Sequence, residues 1–187
     1  EKVIVDRLST HKSSERERRI DELTKNLPAA DERVQQLIKQ RLASFHAAAP
    51  SLEKGAAVFK KNCATCHRVL GEGAMIGPQL DGVGVRGPDR LLEDILDPNR
   101  NVDAAFRVMI ITTNDGQTIT GLKLREEGQT LVLADNQGKE RRVALSDIDE
   151  NRLSSLSLMP TNVTDPIQED DLRDLLGFLL QLRTKPE

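Results

Sequence analysis

Several residue types are scarce in this chain of 187 residues, and each scarcity narrows its possible functions. There is no tryptophan or tyrosine, and only four phenylalanines. The two cysteines are too few for a disulfide framework or a four-cysteine zinc site. No apolar run approaches the roughly 18 residues needed to span a membrane. Residues 1–50 carry 10 basic and 8 acidic groups (+2) and residues 51–187 carry 17 and 22 (−5), so no nucleic-acid partner is indicated.

The most informative motif is Cys63–His67, which reads Cys-Ala-Thr-Cys-His and contains both cysteines. A C-x-x-C-H run is the attachment signature of c-type haem. Each thiol adds to one haem vinyl group to form a thioether, and the adjoining histidine binds the iron. The motif therefore predicts one covalently bound haem c, held by Cys63, Cys66 and His67. A porphyrin in the core would also compensate for the scarcity of large aromatic side chains.

Three other uses of the two cysteines fit the sequence less well. A structural zinc site needs four ligands, and His11 and His46 have no paired spacing with the motif. A thioredoxin-like redox site follows a strand, whereas the segment Leu52–Lys61 before these cysteines has a helical pattern. A disulfide between residues three apart closes too small a loop to stabilise much.

Capping and periodicity predict a mainly α fold with a small inserted sheet. Residues 1–50 form a helical extension, with one helix after a capping box at Ser14 and a second from about Asp31. Residues 51–187 form the main domain. Its predicted helices start after Ser51, near Pro88 and at Asp165-Pro166, and residues 71–80 are too rich in glycine to be helical.

The β insertion is predicted at about residues 105–149. Its segments are rich in β-branched residues and are separated by tight polar turns such as Asn114-Asp115-Gly116. This pattern indicates an antiparallel meander of four strands, namely Arg107–Thr113, Thr118–Leu124, Thr130–Ala134 and Lys139–Leu145. A structural insertion is the simplest role for it.

A second iron ligand is expected opposite His67, and Met159 has the best context for it. Met159 precedes Pro160, which forces an extended backbone at Met159, and both lie just before the terminal helix. The other candidates are Met75, Met109, His11 and His46; Met109 is expected in a strand, Met75 on the histidine side and His46 at the surface or a helix interface. An iron with an open site or a second histidine is the alternative.

These residues resemble class I c-type cytochromes in order and kind. The resemblance rests on Gly55, Phe59, the C-x-x-C-H run, Gly77-Pro78-Gln79-Leu80, Met159-Pro160 and the final leucine-rich helix. It is closest to the haem-binding domain type of planctomycete and verrucomicrobial bacteria, which has a β-rich insertion before Ser-Leu-Met-Pro. The resemblance implies a cytochrome c-like domain whose first and last helices cross. It also implies that the Pro78 carbonyl accepts from the His67 ring and that Leu80 packs against haem.

The function predicted from these features is one-electron transfer, not enzymatic catalysis. Histidine and methionine ligation leaves no open site on the iron. The alternative is a haem sensor or peroxidase-like protein with a displaceable distal ligand. The expected partner is a redox protein or a fused dehydrogenase domain. Because c-type haem is attached outside the cytoplasm, we expect a periplasmic or other extracytoplasmic location and a mature or excised chain.

Overall fold

The computed structural model describes residues 18–19 and 30–183. The chain divides into two compact units, Glu1–Gln36 and Leu37–Glu187. In the first unit, the described residues are helical. The predicted helix after Ser14 lies largely outside the described residues. Among the described residues, no helix is both long and apolar enough to cross a bilayer.

Among the described residues, the second unit contains three whole helices and most of a fourth. They are α1 (Ala30–Ala47, which begins in the first unit), α2 (Leu52–Asn62), α3 (Gly87–Leu96) and α4 (Glu169–Gln181). As predicted, the Ser51 hydroxyl caps α2 by accepting from the Lys54 N–H, and a proline stands in the first turn of α3. Buried leucines of α3 and α4 fill the core together with Phe59 and Phe178.

Helices α2 and α4 cross at close range, as the family resemblance implies. A Cβ at Gly55 would lie 2.0 Å from the carbonyl oxygen of Asp174, so only glycine allows this approach. The Ser51 backbone N–H donates to the Asp174 carboxylate (2.8 Å), and the rings of Phe59 and Phe178 meet with centroids 5.7 Å apart. The crossing fixes the helix that leads directly into the cysteine motif.

The insertion forms a five-stranded antiparallel sheet. Its strands are β3 (Arg107–Thr113), β4 (Thr118–Glu127), β5 (Thr130–Ala134), β6 (Glu140–Ala144) and β7 (Ile148–Ser157), in the order β6-β5-β4-β3-β7. A separate two-stranded ribbon, β1 (Arg68–Val69) with β2 (Glu72–Gly73), follows the cysteine motif. The sheet has its own core, centred on Ile111, Leu131 and Leu133.

The expectation of a mainly α domain is wrong, because the described fold is mixed α/β. The predicted four-strand meander is confirmed, but the sheet has a fifth strand, β7, which lies almost entirely beyond the predicted insertion at about residues 105–149. Strand β7 is an edge strand paired only with β3, and most of its side chains are exposed. It therefore lacks the apolar alternation by which a half-buried strand is recognised.

The predicted start of the last helix at Asp165-Pro166 is also wrong. Backbone hydrogen bonds from Asp165 to Asn162 (3.1 Å) and from Ile167 to Thr164 (2.9 Å) hold this segment in turns. The helix begins at Glu169, where three consecutive acidic residues occupy its first turn. Negative charge there complements the partial positive charge of a helix N-terminus.

Candidate functional site

The cysteine motif continues the end of α2 as a tight turn. The Cys63 N–H donates to the Phe59 carbonyl (2.8 Å), and the N–H groups of Cys66 and His67 both donate to the Cys63 carbonyl (3.0 and 2.9 Å). The two thiols are free and partly buried. Burial raises the pKa of Cys63 to about 11 and also raises the pKa of Cys66. Both groups are therefore neutral thiols at neutral pH when no metal is bound.

The His67 ring is oriented by one backbone carbonyl. Its Nδ1 lies 2.9 Å from the Pro78 oxygen. Since a carbonyl only accepts, the proton of the neutral ring is on Nδ1, and Nε2 keeps the lone pair that can bind a metal. Burial lowers the pKa of His67, while the Pro78 carbonyl acts against this shift. Burial thus favours the neutral imidazole, the form that ligates iron.

The segment after the motif wraps around this ring. The Ala74 N–H donates to the Ala64 carbonyl (2.9 Å), and the Gly77 N–H donates to the Cys66 carbonyl (2.7 Å). A Cβ at Gly77 would lie 2.7 Å from Cε1, 3.0 Å from Nδ1 and 3.2 Å from Nε2 of His67. Glycine at this position is therefore what lets the backbone lie against the imidazole.

Leu80 is held beside the same segment. Its backbone N–H donates to the Arg68 carbonyl (3.0 Å), directly after His67, and its side chain is half-buried. The Asp81 carboxylate accepts from the Leu70 N–H (2.9 Å) and from the Gln79 side chain (2.6 Å), which closes the loop. Hydrogen bonds therefore bring Cys63, Cys66, His67, Pro78 and Leu80 into one local structure.

Met159 lies in a different segment, two residues after the end of β7. It is half-buried, and its N–H donates to the Ser157 hydroxyl (3.1 Å). The Ser157 N–H donates in turn to the Asn99 side-chain oxygen (2.8 Å), 58 positions earlier in the chain. The backbone at Met159 is thus tethered to the loop between α3 and β3.

The other proposed ligands occupy ordinary structural positions. Met109 packs against the sheet core, as expected of a strand residue. Met75 is 64% exposed, with its sulfur 3.3 Å from an Arg68 guanidinium nitrogen. His46 makes an edge contact with Phe45. His11 lies outside the described residues.

The donor set fits a covalently attached haem. Two neutral thiols three residues apart are followed by an imidazole whose Nε2 is free and whose orientation is fixed by Pro78. This is the set of groups that thioether formation and axial ligation require. Met159 carries a soft sulfur atom, and its backbone N–H donates to the Ser157 hydroxyl on a separate loop.

The sequence did not reveal the tertiary contacts of Gly77, Asn99 and Ser157. Gly77 belongs to a recognised glycine-rich loop, but its packing against His67 has no signature in the sequence. Asn99 and Ser157 are 58 positions apart and join only because β7 returns alongside β3. The Pro98-Asn99 turn alone gave no indication of this contact.

The comparisons with known proteins agree with this site. A search of curated proteins found no match. Residues 52–134 match the family model described as Cytochrome c. The matched range includes Cys63, Cys66 and His67 and ends before Met159. This similarity over residues 52–134 supports a c-type cytochrome and haem-based electron transfer.

Proposed function

We propose that this protein transfers single electrons through one haem c with His67 and Met159 as axial ligands. The observation that carries the proposal is the His67 ring in a C-x-x-C-H motif, with Nδ1 2.9 Å from the Pro78 oxygen. That hydrogen bond presents Nε2 to a metal and raises the basicity of the ligand.

Each residue has a separate role in this proposal. Cys63 and Cys66 bond the cofactor covalently, so it cannot dissociate between electron transfers. His67 binds iron in a fixed orientation, because Pro78 and Gly77 hold its ring. When bound, the haem iron supplies the one-electron change between its ferrous and ferric states. Met159 would supply the second protein ligand, and a ligand set that stays intact in both oxidation states would keep the reorganisation on electron transfer small.

We further propose an extracytoplasmic location and a dehydrogenase domain or protein as electron donor. Attachment of c-type haem outside the cytoplasm supports the location. We also propose that residues 1–50 form a helical extension and that residues 51–187 form the cytochrome domain. If the protein only transfers electrons, the partner should reduce the haem iron without binding to it as a ligand.

The visible spectrum tests the proposal, with and without Met159. A pyridine haemochrome assay should report c-type haem in the wild type, and its absence would overturn the proposal. The ferric wild type should show the weak far-red band of sulfur-to-iron charge transfer. Met159→Ala should lose this band and bind carbon monoxide in the ferrous state.

Met75→Ala is the matched control, because Met75 is an exposed methionine in the loop around His67. It should keep the far-red band. If Met75→Ala loses the band and Met159→Ala keeps it, the assignment of the sixth ligand is wrong. A wild type that lacks the band and binds carbon monoxide readily would favour the sensor or peroxidase-like alternative.

A further inference from the structure

The turn between β5 and β6 lies directly against the cysteine motif. A Cβ at Gly138 would lie 3.1 Å from the Thr65 methyl group, 3.2 Å from the Thr65 carbonyl oxygen and 3.2 Å from Cδ1 of Ile76. Thr65 stands between the two cysteines, and Ile76 belongs to the segment that wraps His67. The inserted sheet therefore touches the attachment loop itself.

This turn has a well-defined conformation. Gly138 has a φ of +78°, a region that residues other than glycine rarely adopt, and its N–H donates to the Asp135 carbonyl (3.0 Å). The Asp135 carboxylate accepts from the N–H groups of Gln137 and Lys139, both at 2.9 Å. These bonds hold Gly138 at a fixed position against Thr65.

The side chains on the inner face of the sheet keep the turn in place. Leu131 and Leu133 of β5 are buried in the sheet core. At the end of the ladder, Ala134 pairs with Glu140, directly before and after the turn. A turn held in this way keeps its contact with the neighbouring loop, whereas a turn without this support would move away from it.

We propose that the β5–β6 turn is a positioning element that packs Gly138 on the attachment loop and limits water at the haem edge bonded to Cys63 and Cys66. The inference rests on the proposed function and assigns a role to the inserted sheet. Gly138 acts through Thr65 and Ile76 and does not itself bind the cofactor.

The reduction potential should report this packing. The oxidised haem carries one more positive charge than the reduced haem, and water stabilises the more charged state. Haem potentials consequently fall as solvent exposure rises. Separating the turn from Thr65 and Ile76 should therefore lower the potential.

Gly138→Asn and Gly116→Asn form a matched pair. Both glycines lie in hairpin turns of the same sheet, with φ values of +78° and +80°. Each donates its N–H to a carbonyl three residues earlier, and asparagine tolerates this φ better than most residues. They differ in one respect, since nothing lies within 4 Å of a Cβ at Gly116.

The test is spectroelectrochemistry of the holoproteins, with amide hydrogen exchange of Ile76 and Gly77 as a second readout. Gly138→Asn should lower the ratio of reduced to oxidised haem at a fixed potential by roughly threefold, or about 30 mV for one electron. Exchange at Ile76 and Gly77 should become faster, because their N–H groups donate to the Cys66 carbonyl. Gly116→Asn should leave both readouts unchanged.

Thr65→Ser is the second variant and keeps the test valid if Gly138→Asn does not fold. It removes the methyl group that the turn contacts, so a smaller fall in potential is expected. Equal potentials in the wild type and both of these variants would overturn this inference alone, provided that the wild type has covalent haem and the far-red band. A wild type without covalent haem would overturn both this inference and the proposed function.

Discussion

Replacing Gly77 with alanine tests the packing of His67 most directly. The added Cβ would lie 2.7 Å from Cε1 of the ring, whereas carbon atoms in contact are about 3.5–4.0 Å apart. The ring or the loop must then move by about 0.8 Å or more. If the ring moves by this distance directly away from the Pro78 oxygen, the 2.9 Å separation between Nδ1 and that oxygen lengthens to about 3.7 Å, which is beyond hydrogen-bond range.

Loss of this hydrogen bond should raise the reduction potential. A ring that no longer donates to Pro78 is a weaker base and stabilises ferric iron less well. A typical hydrogen bond contributes about 1 kcal/mol, or roughly 40 mV for one electron, and this is the upper limit of the shift because only the difference in bond strength between ferric and ferrous haem changes the potential. The measurement is a redox titration of the holoprotein, followed by optical absorbance.

Gly71→Ala is the control for a substitution in the same loop. Gly71 has a φ of +85°, so alanine strains the backbone there, but its Cβ would come no closer than 4.0 Å to any neighbour. Gly71→Ala should lower the melting temperature and leave the potential unchanged. An unchanged potential in Gly77→Ala, or an equal shift in both variants, would refute the packing argument.

Two further predictions concern stability. Gly55→Ala should destabilise the protein to urea by about 1–3 kcal/mol, because overpacking against the Asp174 backbone outweighs the gain of about 1 kcal/mol in helix propensity. Ala57→Gly, at an exposed site in the same helix, measures the helix-propensity difference between alanine and glycine by itself. If Gly55→Ala is more stable than the wild type, the close crossing of the two helices is contradicted. Hydrogen bonds lower the pKa of the Asp135 carboxyl group, and the bond from the Lys139 N–H contributes most. The stabilisation that these bonds give is present above the ordinary carboxyl pKa of about 3.9 and is lost as the pH falls through the lowered value. Asp135→Ala should therefore be less stable than the wild type at pH 7, with a difference that shrinks on acidification; a constant difference in melting temperature from pH 7 to pH 3 would count against this account.

The parts of the fold with local signals could be predicted from the sequence. Ser51 caps α2 and Gly116 closes a hairpin, because capping and turn formation depend on a few neighbouring residues. Strand β7 could not be recognised, since an exposed edge strand carries no apolar alternation. Its pairing with β3 depends on residues about 40 positions away.

The same distinction applies to the site. The C-x-x-C-H motif is local and identifies the attachment chemistry directly. The orientation of His67 by Pro78 was implied only by resemblance to a family, because a backbone carbonyl leaves no mark on residue identity. The contact of Gly138 with Thr65 joins positions more than 70 residues apart, and the glycine alone indicated only a turn.

The pairing of β3 with β7 has a consequence for how the chain accommodates its insertion. Arg107, the first residue of the sheet, stands opposite Ser157, the last. The sheet thus leaves the helical scaffold and returns to it at nearly the same point. The entropic cost of closing a loop grows only slowly with its length, so the size of such an insert has little effect on the free energy of joining its two ends. Arg107 and Ser157 therefore mark a junction at which the sheet could be shortened to a tight turn, or exchanged for another domain, without lengthening the path to Met159.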